Sequence, residues 1–174
     1  LRSATIPNNR FPRLLYDSVR DRIIATWIAT GTNSQFIAEW PVSADAATVS
    51  NAMHTATVYS FEAATWAPCI AWNPETNLPG TVIQAKDSTD KADIQFAQRL
   101  ASGWPSSPQA VAITTNANDS YPTLTYLSNG TACVAYHTDS PTTGLVFSIR
   151  TDAGWTNYLT TCDAYALDIA STTR

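Results

Sequence analysis

Short apolar runs alternate with polar turn residues along the whole chain, and this pattern occurs three times. Each copy holds runs of strand length that are rich in Val, Ile, Thr, Tyr and Trp, and each copy closes on a tryptophan: Trp40, Trp104 or Trp155. Such runs, separated by Pro, Asn, Asp and Gly, predict β-strands. Because the pattern recurs about every 55 residues, it indicates a repeat architecture and predicts an all-β chain of three similar units.

We place the three units at about residues 4–46, 47–110 and 111–165 of a single domain that spans residues 1–174. Each unit contains three strand-like runs, and one further apolar run precedes them. Residues 47–51 are interpreted as such a preceding strand. Each unit then has four antiparallel strands, and we expect very little helix.

Several stretches within the units receive a specific prediction. Residues 76–93 read as a polar insertion in the second unit, and residues 90–100 read as a strand rather than a helix. Residues 158–162 read as one more strand after Trp155. Asn129-Gly130 lies between two apolar runs, which is the strongest short hairpin signal in the chain.

The composition indicates a folded domain with few charged residues. Apolar residues make up 44% of the chain and charged residues only 14%, with a net charge of −4. No basic patch is available to neutralise a phosphate backbone, so we expect no nucleic-acid partner. No apolar run approaches the roughly 20 residues of a membrane-spanning helix. The lysine-poor, Ser/Thr-rich sequence predicts an extracellular or cell-surface location.

Three cysteines leave at least one thiol unpaired. Cys69 and Cys133 occupy equivalent places in two repeats, which are usually too far apart for a disulfide, since that bond needs Cα atoms roughly 4.4–6.8 Å apart. We expect both to be small buried hydrophobic residues, and a bridge from Cys162 to either remains open. No Cys or His pair has metal-ligand spacing, so the sequence predicts no metal and no cofactor.

Four short strands per unit, with aromatic residues at fixed places, are typical of propeller blades. In the third unit, residues 148–156 resemble the Asp box, Ser-x-Asp-x-Gly-x-Thr-Trp. Asp152 and Gly154 are in register, whereas the serine lies too far upstream and Trp155 and Thr156 are exchanged. The chain thus resembles the Asp-box propellers of sialidase-like and lectin-like type. The resemblance implies three four-stranded antiparallel blades in an incomplete ring. The alternative is a β-sandwich or jelly roll.

Three blades are too few to close a ring, since rings usually have four to eight. The two end blades would expose apolar faces and unpaired strand edges, which are sites of association. We therefore expect a non-catalytic extracellular subunit that assembles with copies of itself, by blade completion or strand addition, into a ring oligomer or a filament.

Candidate catalytic residues are few. His54 and His137 read as surface or turn histidines, and Asp17, Asp21 and Glu39 read as solvated loop acids. None forms a recognised catalytic spacing. The sequence therefore predicts no catalytic residue and no enzyme, and an Asp-box glycosidase is the least favoured function.

Possible ligand contacts support an alternative function, a carbohydrate-binding module of lectin type. Trp66 lies in an Ala-rich turn and is the best candidate for an exposed aromatic contact with glycans, and Asp152 is the second candidate. An Arg, a Glu and a Trp do not recur in every unit, as they would in fucose-lectin blades. Asn118 and Asn129 lie in Asn-x-Ser/Thr patterns and are predicted glycosylation acceptors.

Overall fold

The computed structural model describes residues 9–29, 33–61, 63–64, 67–86, 92–111, 117–140 and 142–161. Nearly all regular structure in these ranges is antiparallel β-sheet, with one short helix. The prediction of an all-β class is confirmed. The described strands form three separate sheets that follow one another along the chain.

The first sheet has four strands in sequence order, each antiparallel to the next. Its strands are β1 (Asn9–Asp17), β2 (Arg22–Ala29), β3 (Ser34–Pro41) and β4 (Thr57–Ser60). Strand β4 pairs with β3, so the apolar run that opens the second repeat in the sequence completes the first sheet instead.

Helix α1 (Ala46–His54) connects β3 to β4 and corrects the prediction of a strand at residues 47–51. Asp45 is its N-cap, and its side chain accepts a hydrogen bond from the Thr48 amide at 2.8 Å. This bond satisfies a backbone donor that the first helical turn cannot satisfy itself. The cap therefore outweighs the weak strand preference of Thr48, Val49 and the residues around them.

The second sheet is four strand positions wide. Its strands are β5 (Ala63–Ala64), β6 (Cys69–Asn73), β7 (Leu78–Lys86), β8 (Ala92–Gln98) and β9 (Gln109–Ala110). Strands β5 and β6 share one edge of β7, because β8 occupies the other edge. The predicted strand within residues 90–100 is confirmed as β8. The predicted polar insertion is wrong, because it contains β7, which is buried along almost its full length.

The third sheet again has four strands in sequence order. They are β10 (Ser120–Tyr126), β11 (Ala132–Thr138), β12 (Gly144–Thr151) and β13 (Gly154–Thr160). The hairpin predicted at Asn129-Gly130 is confirmed between β10 and β11, and Gly130 adopts a left-handed φ of 76° there. Trp155 and Tyr158 lie in the same strand, so the predicted break between them is wrong.

The core lies between successive sheets. One cluster joins the first and second sheets around Ile24, Ile37 and Ala97, and a larger one joins the second and third sheets around Phe96 and Tyr136. The second sheet is therefore covered on both faces. Strand β6 contacts β1 on the first sheet and β10 on the third, so an edge strand from each sheet lies in this region.

A buried polar network also links the first two sheets. The side-chain amide of Gln35 donates to Thr26 Oγ1 and to Thr81 Oγ1, both at 2.9 Å. The Thr81 hydroxyl in turn donates to the Cys69 carbonyl. Because an unsatisfied buried amide costs free energy, this network fixes the register of one sheet on the other.

Candidate functional site

A cleft between helix α1 and the first two sheets brings together a carboxylate, a guanidinium and an indole. Arg99 Nε donates to Glu39 Oε1 at 2.6 Å, and Trp104 Nε1 donates to the same oxygen at 3.0 Å. The space beside them has a volume of about 390 Å³. We call it the α1 cleft, and its wall is formed by Ile37, Ala38, Glu39, Thr48, Asn51, Ala52, Thr55, Ala56, Thr57, Arg99, Gly103 and Trp104.

Strand pairing places Glu39 in this cleft. Glu39 is opposite Ile24 in the pairing of β2 with β3, and Ile24 packs against the second sheet. Residues opposite each other share a face, so Glu39 points toward the second sheet as well. Arg99 follows β8 directly and reaches Glu39 from the other side. The sequence signal for this site is a charged residue at a core-facing strand position.

A tight turn positions Trp104. Leu100 and Gly103 exchange two backbone hydrogen bonds, of 2.8 and 3.0 Å, and Gly103 has a φ of +123°. A residue with a side chain rarely adopts that φ. The turn thus needs glycine at position 103, and it directs the next residue, Trp104, toward Glu39.

The opposite wall of the cleft is one face of helix α1. Thr48, Asn51, Ala52 and Thr55 line the cleft, and their spacing of three and four residues places them on one side of the helix. Their hydroxyl and amide groups supply donors and acceptors, while Ala52 leaves room. The cleft therefore has a polar helical wall opposite the indole of Trp104.

The ion pair is held in a largely buried place. The side chains of Glu39 and Arg99 are 15% and 17% exposed, and a second guanidinium, that of Arg22, lies 3.7 Å from Glu39 Oε2. Because two donors already bind Oε1, the carboxylate has one defined orientation. A ligand in the cleft would meet preset hydrogen-bonding groups, so little free energy would be spent on ordering them.

A second concave region lies between the second and third sheets, around Arg150. Two adjoining cavities of about 660 and 710 Å³ share Arg150, Thr151 and Asp152 in their walls. The Arg150 guanidinium lies 5.3 Å from the centre of the Phe96 ring, within cation–π range. Tyr126 donates a short hydrogen bond to Gln98 in the same region. Both cavities are open to solvent, as the α1 cleft is.

The structure places the predicted ligand and glycan residues away from the α1 cleft. Asp152 is exposed at the turn between β12 and β13, and together with Asn129 it lines the larger cavity beside Arg150. Asn118 is exposed and its side-chain amide donates to Asp139 at 2.8 Å. Asn129 Oδ1 accepts from the Thr131 amide. Trp66 lies outside the described residues.

Several acids and histidines differ from their predicted surroundings. Asp17 is buried and pairs with Arg20 at 3.1 Å, and Glu39 is largely buried, so neither is a solvated loop acid. His137 is buried on β11 rather than lying at the surface. His54 is exposed at the end of helix α1, close to the Ser50 carbonyl. Glu39 and His137 lie on strands, where alternate side chains point toward the core, and this explains their burial. The exposure of His54 agrees with its prediction.

The cysteines agree in part with their prediction. Cys69 and Cys133 are free thiols and half-buried, so they are less enclosed than expected. Burial raises the pKa of the Cys133 thiol above its ordinary value. Cys162 lies outside the described residues. Within the described ranges, no cluster of three or more His, Cys, Asp or Glu side chains is arranged to hold a metal ion.

No protein-family model matches the chain, and no curated protein matches it. In the part of the chain that the structure describes, no helix has both the length and the apolar character needed to span a membrane.

Proposed function

We propose that the chain is a non-catalytic extracellular carbohydrate-binding module, and that the α1 cleft holds one sugar residue. The observation that carries this proposal is the Glu39 carboxylate, which Arg99 and Trp104 orient at the edge of a cleft of about 390 Å³. That volume lies within the usual range of small-molecule sites.

The chemistry of the cleft fits a neutral polyhydroxylated ring. Hydroxyl groups both donate and accept, so they can bind a carboxylate oxygen, a guanidinium and the side chains of Asn51 and Thr55 at once. The apolar carbon–hydrogen face of a sugar can pack on Trp104. The Glu39 charge is already compensated by the guanidinium groups of Arg99 and Arg22, so the site does not need a cationic ligand to balance it.

The proposal can be tested with an array of immobilised glycans, followed by calorimetric titration with the free monosaccharide that the array selects. Glu39→Gln removes the charge but keeps the shape, so we expect affinity to fall by about 10-fold or more, as charged hydrogen bonds usually require. Asn51→Ala leaves the ion pair intact and should also weaken binding. If Glu39→Gln lowers stability, the Asn51→Ala variant still tests whether the α1 cleft binds the sugar.

The matched control is Glu75→Gln, which changes an acid of the cavity beside Arg150 and should leave affinity unchanged. A glycan array without any binding would overturn the proposed function. Binding that is lost in Glu75→Gln but kept in Glu39→Gln would move the site to the Arg150 region and overturn the assignment to the α1 cleft.

A second candidate function is self-assembly, and strand β13 favours it. Every residue of β13 except Trp155 is exposed, and among the described strands β13 pairs with β12 alone. We infer that the three sheets are blades of an incomplete ring. The contacts of β6 with both β1 and β10 support this inference, because the blades of a ring each turn one edge strand toward its centre.

Self-assembly is tested by sedimentation velocity over a range of protein concentrations. We expect a species larger than the monomer to appear at micromolar concentration. The two functions are compatible, since joining several weak sugar sites in one assembly raises the overall affinity for a surface that carries many glycans.

A further inference from the structure

The second and third units contain the same short motif, and the motif has the same conformation in both. Residues 99–104 read Arg-Leu-Ala-Ser-Gly-Trp, and residues 150–155 read Arg-Thr-Asp-Ala-Gly-Trp. Their glycines, Gly103 and Gly154, have φ angles of +123° and +124°. In each motif the residue after the arginine pairs with this glycine across the turn. The two arginines and the two tryptophans therefore occupy equivalent places in neighbouring sheets.

The strands that the two motifs face are equivalent as well. Strand β3 is third in the first sheet, and β8 holds the third strand position of the second sheet. Ile37 and Glu39 point from β3 toward the second sheet. Phe96 packs toward the third sheet from β8, and Gln98, two residues later, accepts a hydrogen bond from Tyr126 of that sheet. Because alternate residues of a strand share a face, Gln98 corresponds to Glu39.

Arg150 lacks the carboxylate that compensates the charge of Arg99. In the α1 cleft, Arg99 and Trp104 both donate to Glu39. The corresponding side chain in the third sheet's surroundings, Gln98, is neutral, and its amide nitrogen donates to backbone carbonyls of its own sheet. Among the described residues, no carboxylate lies within ion-pair distance of Arg150. The second motif therefore presents a positive charge that its own fold leaves uncompensated.

The two donors of the second motif line a cavity of about 660 Å³, which we call the Trp155 cavity. Arg150 and Trp155 are in its wall, together with Gln109 and Asn157. In the part of the chain that the structure describes, the Arg150 guanidinium donates only to Gln109, over 3.5 Å, and the Trp155 indole nitrogen forms no hydrogen bond. The Phe96 ring contacts the guanidinium without neutralising its charge.

We propose that the Trp155 cavity binds a sugar that carries a carboxylate, a uronic acid, and that the ligand supplies to Arg150 the partner that Glu39 supplies to Arg99. A carboxylate can accept two parallel hydrogen bonds from a guanidinium, and such charged pairs are stronger than neutral hydrogen bonds. The apolar face of the sugar ring packs on Trp155, and its hydroxyl groups bind the polar side chains of the wall. The site is separate from the α1 cleft and does not require that cleft to bind sugar.

Two acids near the cavity act against an anionic ligand. Asp152 is exposed and lines both cavities beside Arg150, and Glu75 is exposed and lines the larger one. Solvent screens exposed charges, so these carboxylates weaken the binding of an anion without preventing it. Their presence also gives the proposal a test in which a substitution strengthens binding.

The experiment is calorimetric titration of the whole chain with glucuronate, glucose or acetate. Glucose has the ring without the carboxylate, and acetate has the carboxylate without the ring. We expect glucuronate to bind to a site that neither of the others fills, with an affinity about 10-fold or more above theirs, as a charged hydrogen bond provides. Arg150→Gln should abolish this binding. Arg13→Gln is the matched control, because it removes the same charge from an exposed position on β1 and should leave the binding unchanged.

Asp152→Asn tests the same site if Arg150→Gln lowers stability. Asp152 is exposed in the turn between β12 and β13, so the fold should tolerate the change. Removal of this negative charge from the cavity wall should raise the affinity for glucuronate by about 2- to 5-fold and leave the affinity for glucose as it is. An unchanged affinity for glucuronate would place its carboxylate elsewhere.

The outcomes separate the second site from the proposed function. Absence of glucuronate binding, or binding that Arg150→Gln leaves intact, would overturn the site, and so would an equal loss in Arg13→Gln. Acetate that binds as tightly as glucuronate would overturn the assignment of the ligand as a sugar. If glucuronate binds through Arg150 while no neutral glycan binds, the Trp155 cavity is supported and the α1 cleft fails as a sugar site. The reverse result would support the α1 cleft alone.

Discussion

Strands β7 and β13 both contain large apolar side chains but have opposite surroundings. Strand β7 is buried at every residue except Lys86, and β13 is exposed at every residue except Trp155. Strand β13 also contains Thr156, Asn157 and Thr160, so its composition accounts for part of the difference. Strand β7 has paired strands on both edges and a packed sheet on both faces, whereas among the described strands β13 pairs on one edge only. The position of a sheet in the series therefore contributes, together with the residues of its strands, to how much of a strand is buried.

The largest expected effect on stability comes from Phe96→Ala, on the second sheet, which is covered on both faces. Phe96 is 1% exposed and contacts the ring of Trp155 edge to face at 5.2 Å. Its truncation leaves a cavity between two sheets, which should lower the free energy of unfolding by about 3–5 kcal/mol. Urea denaturation followed by tryptophan fluorescence measures this loss. Phe147→Ala, the same change at a residue that is 38% exposed, is the matched control and should cost less than about 1 kcal/mol. Equal losses would contradict the comparison.

A smaller effect is expected at Gly80, where β7 approaches the third sheet. A Cβ atom at this position would overlap the hydroxyl of Tyr126, which donates to Gln98. Gly80→Ala should therefore cost about 1–3 kcal/mol, as overpacking in cores usually does. In a Tyr126→Phe background, the overlapping oxygen is absent and the same change should cost less. A double-mutant cycle in urea checks this, and strict additivity of the two changes would show that Gly80 and Tyr126 are not in contact.

Alkaline pH acts on the tyrosines buried between and within the sheets. Burial raises the pKa of Tyr59 and of Tyr136 to about 12, above the ordinary value near 10. The folded state therefore holds these protons more tightly than the unfolded chain does. Their contribution to stability is complete below pH 10 and is lost as the pH rises from about 10 to 12.

The measurement is the free energy of unfolding in urea at pH 8 and at pH 11. We expect it to fall with pH in the unaltered chain and to fall less steeply in a Tyr59→Phe, Tyr136→Phe double variant. An equal fall in both proteins would show that other groups cause the alkaline loss. Ultraviolet titration of phenolate absorbance provides an independent check on the same two residues.

The sequence predicts the strands better than it predicts their partners. Apolar runs and turn residues locate β8 and the hairpin at Asn129-Gly130, because both signals are local. The grouping of strands into sheets fails at β4, since whether it pairs with β3 or opens the next sheet depends on contacts made far along the chain. Helix α1 is missed because one side chain, Asp45, decides it through its cap.

The candidate site illustrates the same limit. Glu39 and Arg99 are 60 residues apart in sequence, and nothing in either local pattern relates them. Their pairing follows from the packing of the first sheet on the second. The alternation of β3 does contain a usable signal, because Glu39 is in phase with the buried Gln35 and Ile37. A polar residue in phase with core residues indicates either a buried network, as at Gln35, or a site, as we propose at Glu39.

The smallest effect is expected on β13 itself. Tyr158→Ala removes a side chain that is 55% exposed, so at low protein concentration the free energy of unfolding should change by less than about 0.5 kcal/mol, as at most surface positions. If the exposed side chains of β13 contact another copy in the proposed self-assembly, raising the protein concentration should increase the melting temperature of the unaltered chain but not that of the variant, because association stabilises the folded state by mass action. Scanning calorimetry at several concentrations measures both quantities. A large loss of stability at low concentration would mean that Tyr158 packs within one molecule, and β13 would then be a covered strand like β7.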